Sequence, residues 1–190
     1  MKYLSALILI ILLSSCGVQY KLSRDTSLDG DNSYVYALPF PPGKSHLLIQ
    51  GYNSRFTHRG RLNLDFKMNQ GSPIHAARGG VVTHAIGSFK NGGLNKRYFR
   101  RANMVVILHE DGTQAYYGHL KHEGIAVKVG DTVAKHQLIG YSGNTGYSAF
   151  PHLHFVVRGQ TPQGYRPLPT RFQTRKGARY LKPGKWYQSI

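Results

Sequence analysis

Beyond one apolar run near the start, Tyr3 to Leu13, hydrophobic residues come in short bursts divided by Gly, Asn, Asp and Pro. The bursts His46 to Gln50, Ile74 to Ala77, Val81 to Ala85, Met104 to His109, Gln114 to Tyr117, Ala126 to Val129, Leu138 to Tyr141 and His154 to Arg158 are rich in Val, Ile and Tyr. Branched and aromatic side chains suit a pleated, half-buried surface, so each burst predicts a strand. Asp111-Gly112, between two of them, predicts a hairpin turn. No helical period is sustained beyond about two turns. The expected fold class is all-β, with two antiparallel sheets packed as a sandwich.

The remaining segments divide the chain. Leu38-Pro39-Phe40-Pro41-Pro42-Gly43 is a rigid entry that excludes helix. Phe89 to Arg101 contains Asn91-Gly92-Gly93 and predicts a long basic loop bordering a substrate groove. At the end, 171–190 reads as a basic aromatic tail, its aromatics either docked on the domain or frayed with it. The domain itself is expected over 34–170.

At the start, Met1-Lys2, the apolar run and Ser14-Ser15-Cys16-Gly17 have the order of an export signal: a positive region, a hydrophobic stretch and small residues. The run falls short of the roughly 20 residues of an ordinary spanning helix. Leu13-Ser14-Ser15-Cys16 resembles a bacterial lipoprotein lipobox, which implies a signal peptide over 1–15, a lipid on Cys16 and a tether over 16–33. Gly17, rather than Asp, follows the cysteine, so the resemblance points to the outer membrane, facing the periplasm.

Charge and cysteine usage narrow the chemistry. The chain has 25 Lys and Arg against 8 Asp and Glu, a net charge of +17, and attracts polyanions. Export argues against nucleic acid as the partner, despite the basic aromatic run Lys96 to Arg101, and favours anionic wall polymers or lipid headgroups. Cys16 is the only cysteine. Internal disulfides and cysteine-ligated structural zinc are therefore excluded.

His152-Leu153-His154 is the most informative motif, because residues two apart on a strand project to one face. His58, Asp65 and His119 supply further nitrogen and oxygen ligands upstream. A catalytic zinc needs three protein ligands and an open position for water. His58, Asp65 and His154 suit that set, leaving His119 and His152 to move protons. The other histidines, His46, His75, His84, His109, His122 and His136, are given no role.

His58 to Asp65, Tyr117-Gly118-His119, Gly143-Asn144-Thr145-Gly146 and Pro151-His152-Leu153-His154-Phe155 resemble the motifs of the lysostaphin-type, LytM-like zinc metallopeptidases. Gly71 to Val82 is similar to that family's Gly-x-Pro-Val-x-Ala segment, and the likeness spans roughly 46–158. The resemblance implies one zinc on His58, Asp65 and His154, with catalysis by His119 and His152. It also implies a tyrosine supporting the oxyanion at about Tyr52, a position equally suited to packing. The six residues between His58 and Asp65 exceed the family's usual three, and the extra ones are expected to bulge outward.

The resemblance implies an endopeptidase acting on amide bonds in the stems or cross-links of peptidoglycan. Its alternative is a non-hydrolytic binding or regulatory lipoprotein acting on other wall hydrolases. A third option, a basic linker between membrane and wall, uses the charge and the anchor without the histidines. Oligomeric state is not legible in the sequence.

Overall fold

The computed structural model, which describes residues 34–190, holds fourteen strands, and every burst except Ala126 to Val129 coincides with one of them. The expected leader, tether and Cys16 lie outside the described residues. In chain order the strands are β1 (Val35–Tyr36), β2 (Ser45–Gln50), β3 (Leu64–Lys67), β4 (Pro73–His75), β5 (Gly80–Ile86), β6 (Met104–Leu108) and β7 (Gln114–Gly118). They continue with β8 (Leu120–Ile125), β9 (Thr132–Val133), β10 (Leu138–Ser142), β11 (His152–Thr161), β12 (Gly164–Pro167), β13 (Arg171–Phe172) and β14 (Lys185–Gln188). The only helical element among the described residues is a single 3-10 turn at Lys96–Tyr98.

One large sheet runs β14-β2-β3-β11-β7-β6-β5-β9, and β12 pairs with the far half of β11. A second, antiparallel sheet runs β4-β10-β8, while β1 and β13 form a short parallel pair. Ile74, Leu120 and Ile139 of the small sheet join Leu48, Phe66, Tyr117, Leu153 and Phe155 of the large one in a single buried cluster. The all-β class with packed antiparallel sheets is therefore the observed one.

Aromatic rings lock this core. Phe40 meets Phe66 edge-on at 5.6 Å, Tyr117 meets Phe155 at 5.2 Å, and Phe155 meets Phe172 at 5.7 Å between centroids. Edge contacts set a ring's positive rim against its neighbour's negative face, which adds directional preference to burial. The core lies directly beneath the strands that carry the candidate ligands: Leu153 stands opposite Phe66, and Phe155 stands between Leu64 and Tyr117.

Several stretches differ from expectation, among them the short strands β1, β9 and β12, which no burst foretold. No strand forms at Ala126 to Val129; β8 lies just before it, over Leu120–Ile125, where Leu120 and Gly124 are the buried positions and the polar Lys121-His122-Glu123 between them masks the pattern. Strand β3 has no burst in the sequence, since its four residues include a buried aspartate. The segment 171–190 is built into the fold: Phe172 and Leu181 enter the core and β14 pairs with β2. Its apolar positions are too scattered to signal strands, and long-range pairing defines them.

Candidate active site

Period-two alternation on β11 sends Leu153 into the core and turns His152 and His154 to the opposite face. The ladder then chooses their neighbours. On β3, Asp65 is the register partner of His154 and Lys67 that of His152. On β2, the register shifts between Leu48 and Gln50, so that Gln50 rather than Ile49 stands opposite Asp65. An extra residue on one strand re-aims the next side chain, and here it brings a carboxamide to the carboxylate.

Asp65 is the hub. Its Oδ1 lies 2.8 Å from His154 Nδ1, and its Oδ2 lies 3.1 Å from His58 Nε2. Gln50 Nε2 donates to Oδ2 at 2.9 Å, and His152 Nε2 approaches Oδ1 at 3.8 Å. Burial pushes the Asp65 carboxyl up, but hydrogen bonds from His154 and His58 outweigh it and hold the group well below the usual carboxylate range. The side chain is therefore an anion ringed by nitrogen.

The longer His58 to Asp65 connection bulges as expected. His58 is buried while Arg59, Gly60 and Arg61 are exposed. Arg61 N–H donates to His58 C=O at 2.9 Å, closing a turn in which Gly60 takes a φ of 66°. Glycine adopts that left-handed conformation without a Cβ penalty. The excess residues thus leave both side chains free to face each other.

Backbone carbonyls orient three of the imidazoles. His58 Nδ1 lies 3.2 Å from Gly51 C=O, His119 Nδ1 lies 2.7 Å from Thr145 C=O, and His152 Nδ1 lies 2.8 Å from Phe150 C=O. A carbonyl only accepts, so Nδ1 carries the proton in each; in His119 and His152 this leaves Nε2 with a lone pair facing the cleft, whereas His58 Nε2 lies against Asp65 Oδ2. His154 differs in turning Nδ1 toward the carboxylate.

His119 occupies the turn between β7 and β8 with a φ of 61°, an uncommon conformation for a residue with a Cβ. Thr145 braces it: its hydroxyl donates to Leu120 C=O at 2.7 Å and accepts from Asn103 N–H at 3.0 Å. The His119 ring lies 4.6 Å from that of His152 and 5.7 Å from that of His154. Burial, with the neighbouring imidazoles, lowers the His119 pKa to about 3, and burial also lowers that of His152. Both rings are therefore neutral near pH 7.

These five side chains line one cleft of about 280 Å³. Leu94 and Phe99 from the basic loop and Tyr147 and Phe150 from the segment before β11 form its apolar wall, with Arg61 and Asn63 on the bulge. The expected position of the 89–101 loop beside a groove is thus observed. The six histidines given no role stand outside the lining.

One predicted participant is elsewhere. Tyr52 does not line the cleft, and its hydroxyl accepts from Thr170 N–H at 2.8 Å and lies 3.3 Å from Thr170 C=O. Backbone bonding to Thr170 and packing against Tyr180 account for its place. Conversely, nothing in the sequence singles out Gln50, Thr145 or Ser148, whose hydroxyl lies 3.2 Å from His152 Nδ1. Gln50 holds Asp65 and also accepts from Thr57 N–H at 3.2 Å, which ties the loop before His58 to the hub.

Residues 57–166 match Peptidase family M23. The chain belongs to that family. M23 peptidases are zinc metalloenzymes, and the His/Asp/His donor set seen here suits that metal. Lysostaphin from Staphylococcus simulans is 41% identical over 93 residues, covering 48% of this chain and 17% of the relative. The peptidoglycan DD-endopeptidase ShyA from Vibrio cholerae is 37% identical over 98 residues, covering 50% of this chain and 20% of the relative. The crystallised catalytic domain of the M23 protein EnpA from Enterococcus faecalis, an A109H mutant, superposes with a TM-score of 0.50 at 28% identity. That match covers 68% of this chain and 93% of the EnpA domain. The chain spans 35% or less of the length of these curated relatives and of a 34%-identical metalloprotease from Buchnera aphidicola.

The residues present fit the family's zinc. One ligand atom from each of His58, Asp65 and His154 lies within 4.8 Å of the other two. Tetrahedral ligands with bonds near 2.1 Å stand about 3.4 Å apart, a spacing that small side-chain rotations reach from here. Two neutral imidazoles and one carboxylate would leave the bound ion a net charge near +1, with room in the cleft for a further ligand.

Proposed function

We propose that this M23 peptidase is a zinc-dependent endopeptidase that hydrolyses amide bonds in the peptide stems or cross-links of peptidoglycan. His58, Asp65 and His154 hold the metal, and His119 and His152 do the proton chemistry. The observation that carries the reading is the meeting of all five side chains in one cleft. A regulator without hydrolysis would need neither the complete ligand set nor two further imidazoles with inward lone pairs.

Zinc, when bound, supplies a Lewis acid that polarises a carbonyl and lowers the pKa of water. The protein's own residues do the rest. His152, with Nε2 3.8 Å from Asp65 Oδ1 and Nδ1 tied to Phe150 C=O, is placed to take a proton from an attacking water. His119, held by Thr145 C=O, faces the same space and is placed to stabilise the developing oxyanion or protonate the leaving amine. The microscopic order of the two is open to exchange, but neither requires the other to move. Leu94, Phe99, Tyr147 and Phe150 offer apolar surface along the cleft against which a substrate can pack.

We further infer a lipid anchor at Cys16 and residence in the outer membrane facing the periplasm, on the strength of the lipobox-like Leu13 to Cys16 and the following Gly17. Several acyl chains on one residue suit stable anchoring. Fractionation of Cys16→Ser should find the protein released from membranes, and its persistence there would count against the anchor. For the hydrolytic reading, purified peptidoglycan incubated with the protein should release muropeptides that chromatography resolves, and chelation should stop the release. Intact peptidoglycan after incubation with zinc-loaded protein would overturn it.

A further inference from the structure

A second concavity, about 520 Å³, lies outside the segment that matches the family, along β14 and the chain leading into it. Arg175, Lys176, Arg179, Lys182 and Lys185 line it, and no acidic residue does. The sequence holds no Asp or Glu beyond Asp131. None of the five cations makes an ion pair among the described residues, whereas Arg78 elsewhere is paired with both Asp111 and Glu110. Like charges gathered without counterions repel one another, so the arrangement costs stability unless an anion joins it.

Aromatic surface accompanies the charge. Trp186 is 69% exposed, Tyr180 is also exposed, and Tyr187 completes the wall. The groove is nonetheless held in shape. Tyr187 Oη accepts from Lys182 N–H at 2.7 Å and lies 3.2 Å from Lys182 C=O, which fixes the turn before β14. The Tyr180 ring lies 6.5 Å from that of Tyr52, and Pro183 packs on Gly51, whose carbonyl orients His58. The concavity is thus braced against the loop that carries the first candidate ligand.

From this we propose that the groove is a second binding site for peptidoglycan, taking its sugar rings and the carboxylates of its peptides, separate from the cleft that cuts the peptide bonds; this rests on the substrate class proposed above. The apolar face of a pyranose ring stacks flat on an exposed Trp or Tyr, and carboxylates along the polymer pair with the flanking Lys and Arg. A bilayer fits less well. It is flat on the scale of the protein and is best met by protruding apolar side chains, whereas these cations and aromatics line a recess. The groove keeps the polymer at the protein while the cleft engages one stem after another, raising the local concentration of scissile bonds.

Co-sedimentation of the full chain with purified insoluble peptidoglycan tests this, in a His119→Ala background so that the polymer stays intact. Trp186→Ala and the double variant Lys182→Gln/Lys185→Gln should each weaken sedimentation about fivefold at low salt while zinc content and melting temperature match the parent. Vesicles of phosphatidylglycerol and phosphatidylcholine form the second arm, on which the Trp186→Ala variant should behave as the parent. Parent-level binding to peptidoglycan by both variants would overturn the site, as would a loss seen on vesicles alone. Groove-dependent sedimentation of a chain whose unmutated form releases no muropeptides would sink the hydrolytic reading instead and leave the groove standing.

Discussion

The cleft and the C-terminal groove are built by opposite rules. In the cleft, each imidazole has its second nitrogen tied or aimed: three to backbone carbonyls and the fourth to a carboxylate. Along the groove, cations that make no ion pair among the described residues stand beside an exposed indole. Chemistry at a metal depends on fixed tautomers and angles, and a misplacement of about 1 Å is costly. Holding a polymer depends on summed charge and contact area, which tolerate mobile side chains. Substitutions in the cleft should therefore act steeply and individually, and those in the groove gently and collectively.

The sharpest break in this contrast comes from His154→Ala. It should lower bound zinc and peptidoglycan hydrolysis to background, read by metal analysis and muropeptide release. His119→Ala should keep the zinc yet reduce turnover by about 10²- to 10⁴-fold, because it removes a proton-transfer group and not a ligand. Gln50→Ala should weaken zinc binding by about 10- to 100-fold in a competition titration, since Asp65 loses the donor that orients it. Smallest is the response to ionic strength. Raising salt from about 0.1 M to 1 M shortens the screening length from about 10 Å to 3 Å. Sedimentation with peptidoglycan should weaken several-fold, while hydrolysis of a short soluble peptide that cannot reach the groove should change little.

How far the sequence disclosed each region follows from the same difference. His152-Leu153-His154 is legible because strand period alone places both imidazoles on one face, and the ladder with β3 then confirms the neighbours. The supports are not legible. Gln50 reaches Asp65 only through a register shift in β2, and Thr145 orients His119 through its backbone carbonyl, which any residue possesses. Tyr52 shows the converse: its distance along the chain from His58 suited a role, but pairing with Thr170, 118 residues away, decides where its hydroxyl goes. Strand β3 was hidden because its buried aspartate breaks the apolar pattern at the very position the site requires. Composition exposed the cations of 171–190 but not that β14 would close the edge of the large sheet beside β2.

The central claim is that His58, Asp65 and His154 share one zinc. X-ray absorption at the zinc edge, on protein loaded with one equivalent, reads that shell directly. Two imidazoles and additional oxygen ligands at about 2.0–2.2 Å are predicted, with one imidazole lost in His154→Ala. A shell with sulfur near 2.3 Å, or one left unchanged by His154→Ala, would contradict it.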